Sequence, residues 1–230
     1  MKEVKTMKRV LSLMLVLVCF VLLLAGCGDK TKTENVTVTI VDKNGEAVLA
    51  LEKVKAKDLD GDDKITIYEA LKAAHKDCPN GGADGFAAED TQYGLSMVKL
   101  WGEENGGSFG YYVNDGMPMS LAEEVKADDR IVAYFYLYGQ MDTYCYFDKQ
   151  IETVKKGETV TLTLTAFGYD ENWNPVPKAF EGATIKVNGT AIEAKTDAEG
   201  KITLTLDKGE NVISASGNTL VPAIAKITVK

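Results

Sequence analysis

One histidine in 230 residues leaves little room for acid–base chemistry near neutral pH. That residue, His75, falls in the last turn of a helical pattern, where a hydrogen-bond donor favours the carbonyl end. As a base for Cys78 it would need a cleft and an orienting group, and the sequence points to neither. Phosphate-cradling glycine motifs are missing as well: Gly81 with Gly82, and Gly106 with Gly107, follow or stand apart from a helix instead of leading into one. No apolar run reaches the roughly 20 residues that span a bilayer; the longest, residues 10–25, is broken by Ser12. Basic residues are also outnumbered, 26 against 34, and an acidic surface repels phosphate backbones, which argues against a nucleic-acid partner. The sequence therefore reads as a non-enzyme.

The first residues supply what the composition withholds. Lys5, Lys8 and Arg9 precede the apolar run, and Met7 opens a tidier start than the six residues before it. A basic segment, a short apolar segment and small residues at a cut make a secretory signal peptide. The cut falls within Leu24, Ala25, Gly26 and Cys27, which resembles the lipobox of bacterial lipoproteins. The resemblance implies cleavage after residue 26, a diacylglyceryl group on Cys27, and anchorage on the outer, extracytoplasmic face of a bacterial membrane. A diacylglyceryl group supplies the two chains that stable anchoring requires. Cleavage removes four basic residues and one acidic, leaving 22 against 33, a net charge of −11. Cys19 leaves with the signal, so Cys78 and Cys145 remain, in a compartment that permits a disulfide. A bridge between them and two buried free thiols are both open.

Residues 27–34 are polar and aperiodic, a lipidated tether. A composition shift near residues 148–153 divides the rest into domains 35–148 and 149–230. In the first, Val36, Val38 and Ile40 alternate with threonines, Asn44 with Gly45 suggests a type I′ hairpin, and residues 48–54 return. Ile67, Ala70, Leu71 and Ala74 place one apolar stripe on a helix over 66–76. A glycine-rich loop then leads to strands near 96–101, 110–114, 130–138 and 142–147. Two strands, a helix across them and further strands is an α+β order. In the second domain, Val160, Leu162 and Leu164, then Ile202, Leu204 and Leu206, alternate with polar residues. With 183–187, 212–215 and 223–229 they make five or six short strands, the signature of an all-β sandwich.

The densest chemistry lies in residues 58–69, Asp-Leu-Asp-Gly-Asp-Asp-Lys-Ile-Thr-Ile-Tyr-Glu. Calcium takes several hard oxygens at flexible distances, and alternate residues of a tight loop can aim carboxylates at one centre. The segment resembles the EF-hand calcium loop. Asp58, Asp60 and Asp62 fill its positions one, three and five, Lys64 offers its carbonyl at seven, Thr66 stands at nine and Glu69 closes it at twelve. Ile65 would plug the core at position eight. Asp63 occupies position six, where glycine is usual because the backbone needs positive φ. Aspartate tolerates that region at a cost of roughly 1 kcal/mol. Thr66 and Glu69 also form a capping box that needs no metal, but a cap does not call for three alternating aspartates. One site outside the cell suits weak binding, on the order of 10⁻⁵ to 10⁻³ M, and a structural ion.

Tyr134, Tyr136 and Tyr138 share one face of a strand and Ala133, Phe135 and Leu137 the other. With Trp101 they are either strand-forming core or an exposed platform for a flat or sugar-like ligand. On alternation the tyrosines face away from the helix.

Residues 107–138, with Phe109-Gly-Tyr-Tyr-Val-Asn and later Asp129-Arg-Ile-Val-Ala-Tyr-Phe-Tyr, resemble bacterial domains similar to the C-terminal domain of transcobalamin. The resemblance covers about residues 35–148 and implies a β-grasp fold. Phe109 and Ala133 stand where that family usually has tryptophan, and Asp128 where it has glycine. The second domain is similar to immunoglobulin-like or carboxypeptidase-regulatory-like β domains through residues 196–201. Together these imply a calcium-binding, non-enzymatic surface binding or adhesion module. The rival is a lipoprotein that captures a corrinoid or sugar for a transporter.

Overall fold

The computed structural model describes residues 31–230, except 105, 107, 138–141, 173 and 218. Residues 32–230 form one compact unit. The signal segment and Cys27 lie outside the described residues, as does Tyr138 of the aromatic strand. Among the described residues no helix is long and apolar enough to cross a membrane.

The order is β1 (Thr33–Val41), β2 (Ala47–Lys57), α1 (Ile67–Ala74), β3 (Ala87–Thr91), β4 (Gly94–Leu100), β5 (Glu103–Glu104), β6 (Phe109–Val113) and β7 (Arg130–Phe135). There follow β8 (Cys145–Phe147), β9 (Ile151–Val154), β10 (Thr159–Tyr169), β11 (Pro175–Ala179) and β12 (Thr184–Val187). The last are β13 (Thr190–Lys195), β14 (Lys201–Thr205), β15 (Gly209–Ser216) and β16 (Ala223–Val229). One sheet runs β2-β1-β7-β6 and a smaller one β3-β4-β5. In the second half β11-β10-β14 and β13-β12-β15-β16-β9 form two more, with β8 added to β10.

This architecture corrects the α+β expectation, and with it the β-grasp. Strands make up 53% of the structure and helical residues 8%. The apolar stripe on α1 is real, but the helix spans eight residues before it tightens into a 3-10 turn at His75–Asp77. Two turns cannot form a layer, and the stretch read as a glycine-rich loop contains the strand β3, paired with the expected strand β4. The protein is mostly β, its inner faces packed as in a sandwich. β8, grouped by sequence with the first half, bonds to β10 in the second.

Alternation decides which residues are inside. Val36, Val38 and Ile40 from β1 meet Ala70 and Leu71 from α1 and Ile131, Ala133 and Phe135 from β7 in one core. Each of the larger side chains among them contributes about 1.5–3 kcal/mol on leaving water. Leu162, Leu164, Ile185, Ile213 and Ile227 build a second core. A third cluster joins the halves: Val41, Tyr112 and Tyr134 pack with Tyr144 and Val221.

The first hairpin departs from type I′. Gly45 has φ +75° while Asn44 is not left-handed, and Gly45 N–H bonds to Asp42 O at 3.0 Å. Asp42 Oδ1 accepts from the N–H groups of Asn44 and Glu46, which favours a type I turn closed by a left-handed glycine. The I′ geometry appears instead at Asn114 and Asp115, with φ of +50° and +65°, between reciprocal Val113 and Gly116 bonds.

Candidate metal site

The loop between β2 and α1 winds around its own first carboxylate. Asp58, 4% exposed, accepts from the N–H groups of Asp60 (3.2 Å) and Gly61 (2.7 Å) through Oδ1, and from Asp63 (3.0 Å) through Oδ2. The Gly61 N–H above all holds its carboxyl below the usual aspartate range, against a smaller opposing effect of burial. Gly61 at φ +81° and Asp63 at φ +61° turn the backbone inward. Asp63 thus occupies the left-handed conformation that position six demands, without glycine. Ile65 is fully buried, and its carbonyl accepts from Val125 N–H at 2.8 Å, fixing the loop's exit against the chain opposite.

Glu69 closes the turn from α1. Its Oε1 accepts from Leu59 N–H at 2.6 Å, and Oε2 accepts from the N–H and hydroxyl of Thr66 at 2.8 and 3.0 Å. Thr66 Oγ1 in turn accepts from Glu69 N–H at 3.3 Å, completing the capping box. Oxygens of Asp58, Asp60 and Glu69 lie within 4.8 Å of one another. Three carboxylates so close repel unless a cation or proton intervenes, and a carboxylate keeps lone pairs beyond those spent on N–H groups. The donor set is all hard oxygen, as calcium or magnesium requires, with none of the sulfur or imidazole that draws zinc or copper.

The fourth expected carboxylate, Asp62, stands outside that cluster. It is exposed, accepting from Lys64 N–H at 2.8 Å, with Lys64 Nζ 3.9 Å from its other oxygen. Thr66 is committed to the cap. Of the four carboxylates assigned from the sequence, the structure gathers Asp58, Asp60 and Glu69.

His75 is fully buried and sealed from chemistry. Trp101 N–H donates to Nε2 at 2.9 Å, so that nitrogen is unprotonated, and Nδ1–H donates to Leu71 O at 2.7 Å. Burial lowers its pKa and keeps the ring neutral. Cys78 and Cys145 are free and buried, which answers the disulfide question in the negative. Cys145 sits in the second core with its thiol donating to Val221 O at 3.0 Å, and burial pushes its pKa up to about 12. Cys78 closes the 3-10 turn after α1 instead, its N–H bonded to His75 O.

The aromatic face is also corrected. Alternation places Ala133 and Phe135 toward α1 and Tyr134 away from it, as expected. Yet Tyr134 is 3% exposed, because the opposite face of β7 meets the second half and not solvent. Its ring crosses Gly110, where a Cβ would sit 2.2 Å from Tyr134 Cζ. Trp101 is half-buried over His75, on another part of the fold. Tyr136, 39% exposed, is what remains of the platform; it lines a shallow cleft of about 160 Å³ with Tyr111, Met117 and Pro118.

A polar cluster escaped the sequence reading. The turn at Asp115 aims its carboxylate at Arg130 Nη2 (3.1 Å), the Tyr144 hydroxyl (2.8 Å) and Gln150 Nε2 (3.2 Å). Burial, with Asp115 beside it, raises the Tyr144 pKa, so the phenol stays a donor. Arg130, the only arginine after Arg9, was the available signal.

No protein-family model matches the chain, and no curated protein does. Among solved structures it is similar to a candidate metal-binding protein from Ruminococcus gnavus ATCC 29149, at 15% identity over 44% of this chain and 94% of that one, TM-score 0.29. It is similar to fibronectin(III)-like modules of CbhA from Clostridium thermocellum, at 13% identity over 53% and 77%, TM-score 0.29. The N-terminal four Ig domains of Dscam1 isoform 4.4 follow at 12% identity over 89% and 45%, TM-score 0.26. The β architecture rests on the strand pairings and not on these.

Proposed function

We propose that the chain is a non-enzymatic binding module, held by lipid on Cys27 at the outer face of a bacterial membrane and braced by one calcium ion at residues 58–69. The observation that carries the calcium reading is the convergence of Asp58, Asp60 and Glu69 within 4.8 Å, around a loop whose sixth residue accepts φ +61°. Calcium, when bound, cross-links the end of β2 to the first turn of α1 and offsets the repulsion among the carboxylates. Asp58 and Glu69 supply buried oxygens and Asp60 an exposed one. The engaged nitrogens of His75 support a binding role over a catalytic one. Capture of a corrinoid is the weaker reading, since the cleft at Tyr136 holds about 160 Å³, against roughly 300–1,000 Å³ for ligand pockets in general.

Glu69→Gln separates the metal from the helix cap, because glutamine still serves a capping box but is a poorer cation ligand. Calorimetry should give one calcium isotherm for the wild type and none for Glu69→Gln or Asp58→Ala. Excess calcium at a hundredfold over Kd should stabilise the wild type by roughly 2.7 kcal/mol. Coincident melting curves in calcium and in chelator would refute the site. Fatty-acid labelling that marks the wild type and spares Cys27→Ser reads the anchor separately.

A further inference from the structure

Strand β2 is the outer strand of its sheet. Lys53, Lys55 and Lys57 alternate along it, all exposed. With Lys72 and Lys76 from α1 and its extension they line one groove of about 520 Å³. Among the described residues no carboxylate oxygen lies within 4 Å of the ammonium groups of Lys53, Lys55, Lys57 or Lys72, while Lys76 has Asp77 at 3.9 Å. The groove's own glutamates are engaged elsewhere: Glu52 with Lys226 at 2.6 Å, and Glu69 with Thr66 and Leu59. Lysine guards many edge strands against pairing. That explains three of the cations; Lys72 and Lys76, placed beside the same groove, lie in the last turns of α1 and its extension, with Lys72 over the Tyr68 ring at 5.9 Å. It does not explain Leu59, which lines the groove and is 55% exposed.

The position of the groove suggests its occupant. Thr33, the first residue of β1, is the register partner of Lys57. The groove therefore begins where the chain enters from residues 27–32, a segment spanning about 22 Å at most when extended. Lys53 stands about 14 Å further along the strand.

We propose that this lysine groove docks on the anionic lipid headgroups of the membrane that holds the chain, a proposal that rests on the reading of Cys27 as lipidated. The ammonium groups attract the headgroups and most of the acidic remainder of the chain is repelled outward, while Asp77 and the Asp58 and Asp60 that flank Leu59 stay near the groove. Attraction on one face and repulsion on the rest orient the module.

The test couples residues 27–230 through Cys27 to a maleimide lipid; Cys78 and Cys145 are buried, which confines coupling to Cys27. Lysine acetylation is then followed by mass spectrometry on vesicles of phosphatidylcholine with and without phosphatidylglycerol. Lys53, Lys55, Lys57 and Lys72 should react roughly fivefold more slowly on the anionic vesicles, the factor equivalent to about 1 kcal/mol per cation near such a surface. High salt should abolish the difference, and exposed Lys195 and Lys208 should not change. Equal rates on both vesicles, or slowing shared by Lys195 and Lys208, would overturn the proposal. Equal protection by soluble polyphosphate on vesicle-free protein would assign the groove to a dissolved anion and overturn it too. The coupling is chemical, so the result stands apart from whether cells lipidate Cys27, which fatty-acid labelling decides.

Discussion

Truncating Tyr134 to alanine tests the junction between the halves. The ring is 3% exposed among Val41, Tyr112, Tyr144 and Val221, with Tyr112 stacked at 6.4 Å and Tyr136 edge-on at 5.7 Å. Replacing a buried aromatic by alanine forfeits its transfer free energy and leaves a cavity, about 3–5 kcal/mol in all. Gly110 beneath the ring offers no side chain to refill the space. For a unit of this size each kcal/mol lowers Tm by about 2–4 °C, so the loss should be roughly 6–20 °C. Tyr136→Ala removes a ring that is 39% exposed and should cost no more than about 1 kcal/mol. Thermal and urea unfolding, followed by near-UV circular dichroism, would show the two variants well separated. If Tyr134→Ala melts with Tyr136→Ala, close to wild type, the ring does not hold the halves together.

Acid should weaken the fold through His75. Its folded-state pKa is lowered by burial, so below about pH 6.5 the unfolded chain takes a proton that the native state refuses. The unfolding free energy from urea titrations should be level above that pH and fall below it, by up to about 1.4 kcal/mol per pH unit until the folded-state pKa is passed. His75→Gln should flatten this step; an unchanged profile would show that the imidazole titrates alike in both states. Asp58, whose pKa is lowered, acts in a separate window, contributing stability that is lost as pH drops below about 3.9. Native protein treated with a thiol reagent, without reductant, should yield no reaction at Cys78 and Cys145 until denaturant is added, when both react. A disulfide would leave both silent in either condition.

What could be read from the sequence was local. The loop at 58–69 keeps its donors within twelve consecutive residues, so spacing alone located Asp58, Asp60 and Glu69, and the demand for positive φ fell on Asp63. Alternation likewise assigned the faces of β7, because side-chain direction has period two. What lay beyond β7 was not local. Tyr134 is buried by Tyr144 and by Val221, residues that no pattern within the strand anticipates. The α+β expectation failed for a related reason. Periodicity found the helical stretch nearly in full, 66–76 against the observed 67–77, but local pattern does not say that one short helix stands among so many strands. Asp115 was hidden because its partners Arg130, Tyr144 and Gln150 come from three separate segments.

The entry of the chain into β1 bears on how the module would carry load. β1 is bonded on both flanks, antiparallel to β2 and parallel to β7. A pull at Lys32 along the strand axis loads both ladders in shear, so many bonds must yield together instead of opening one by one. An edge strand in that place would be held by one ladder only. The strand through which tension at Lys32 would enter is thus clamped by two ladders at once.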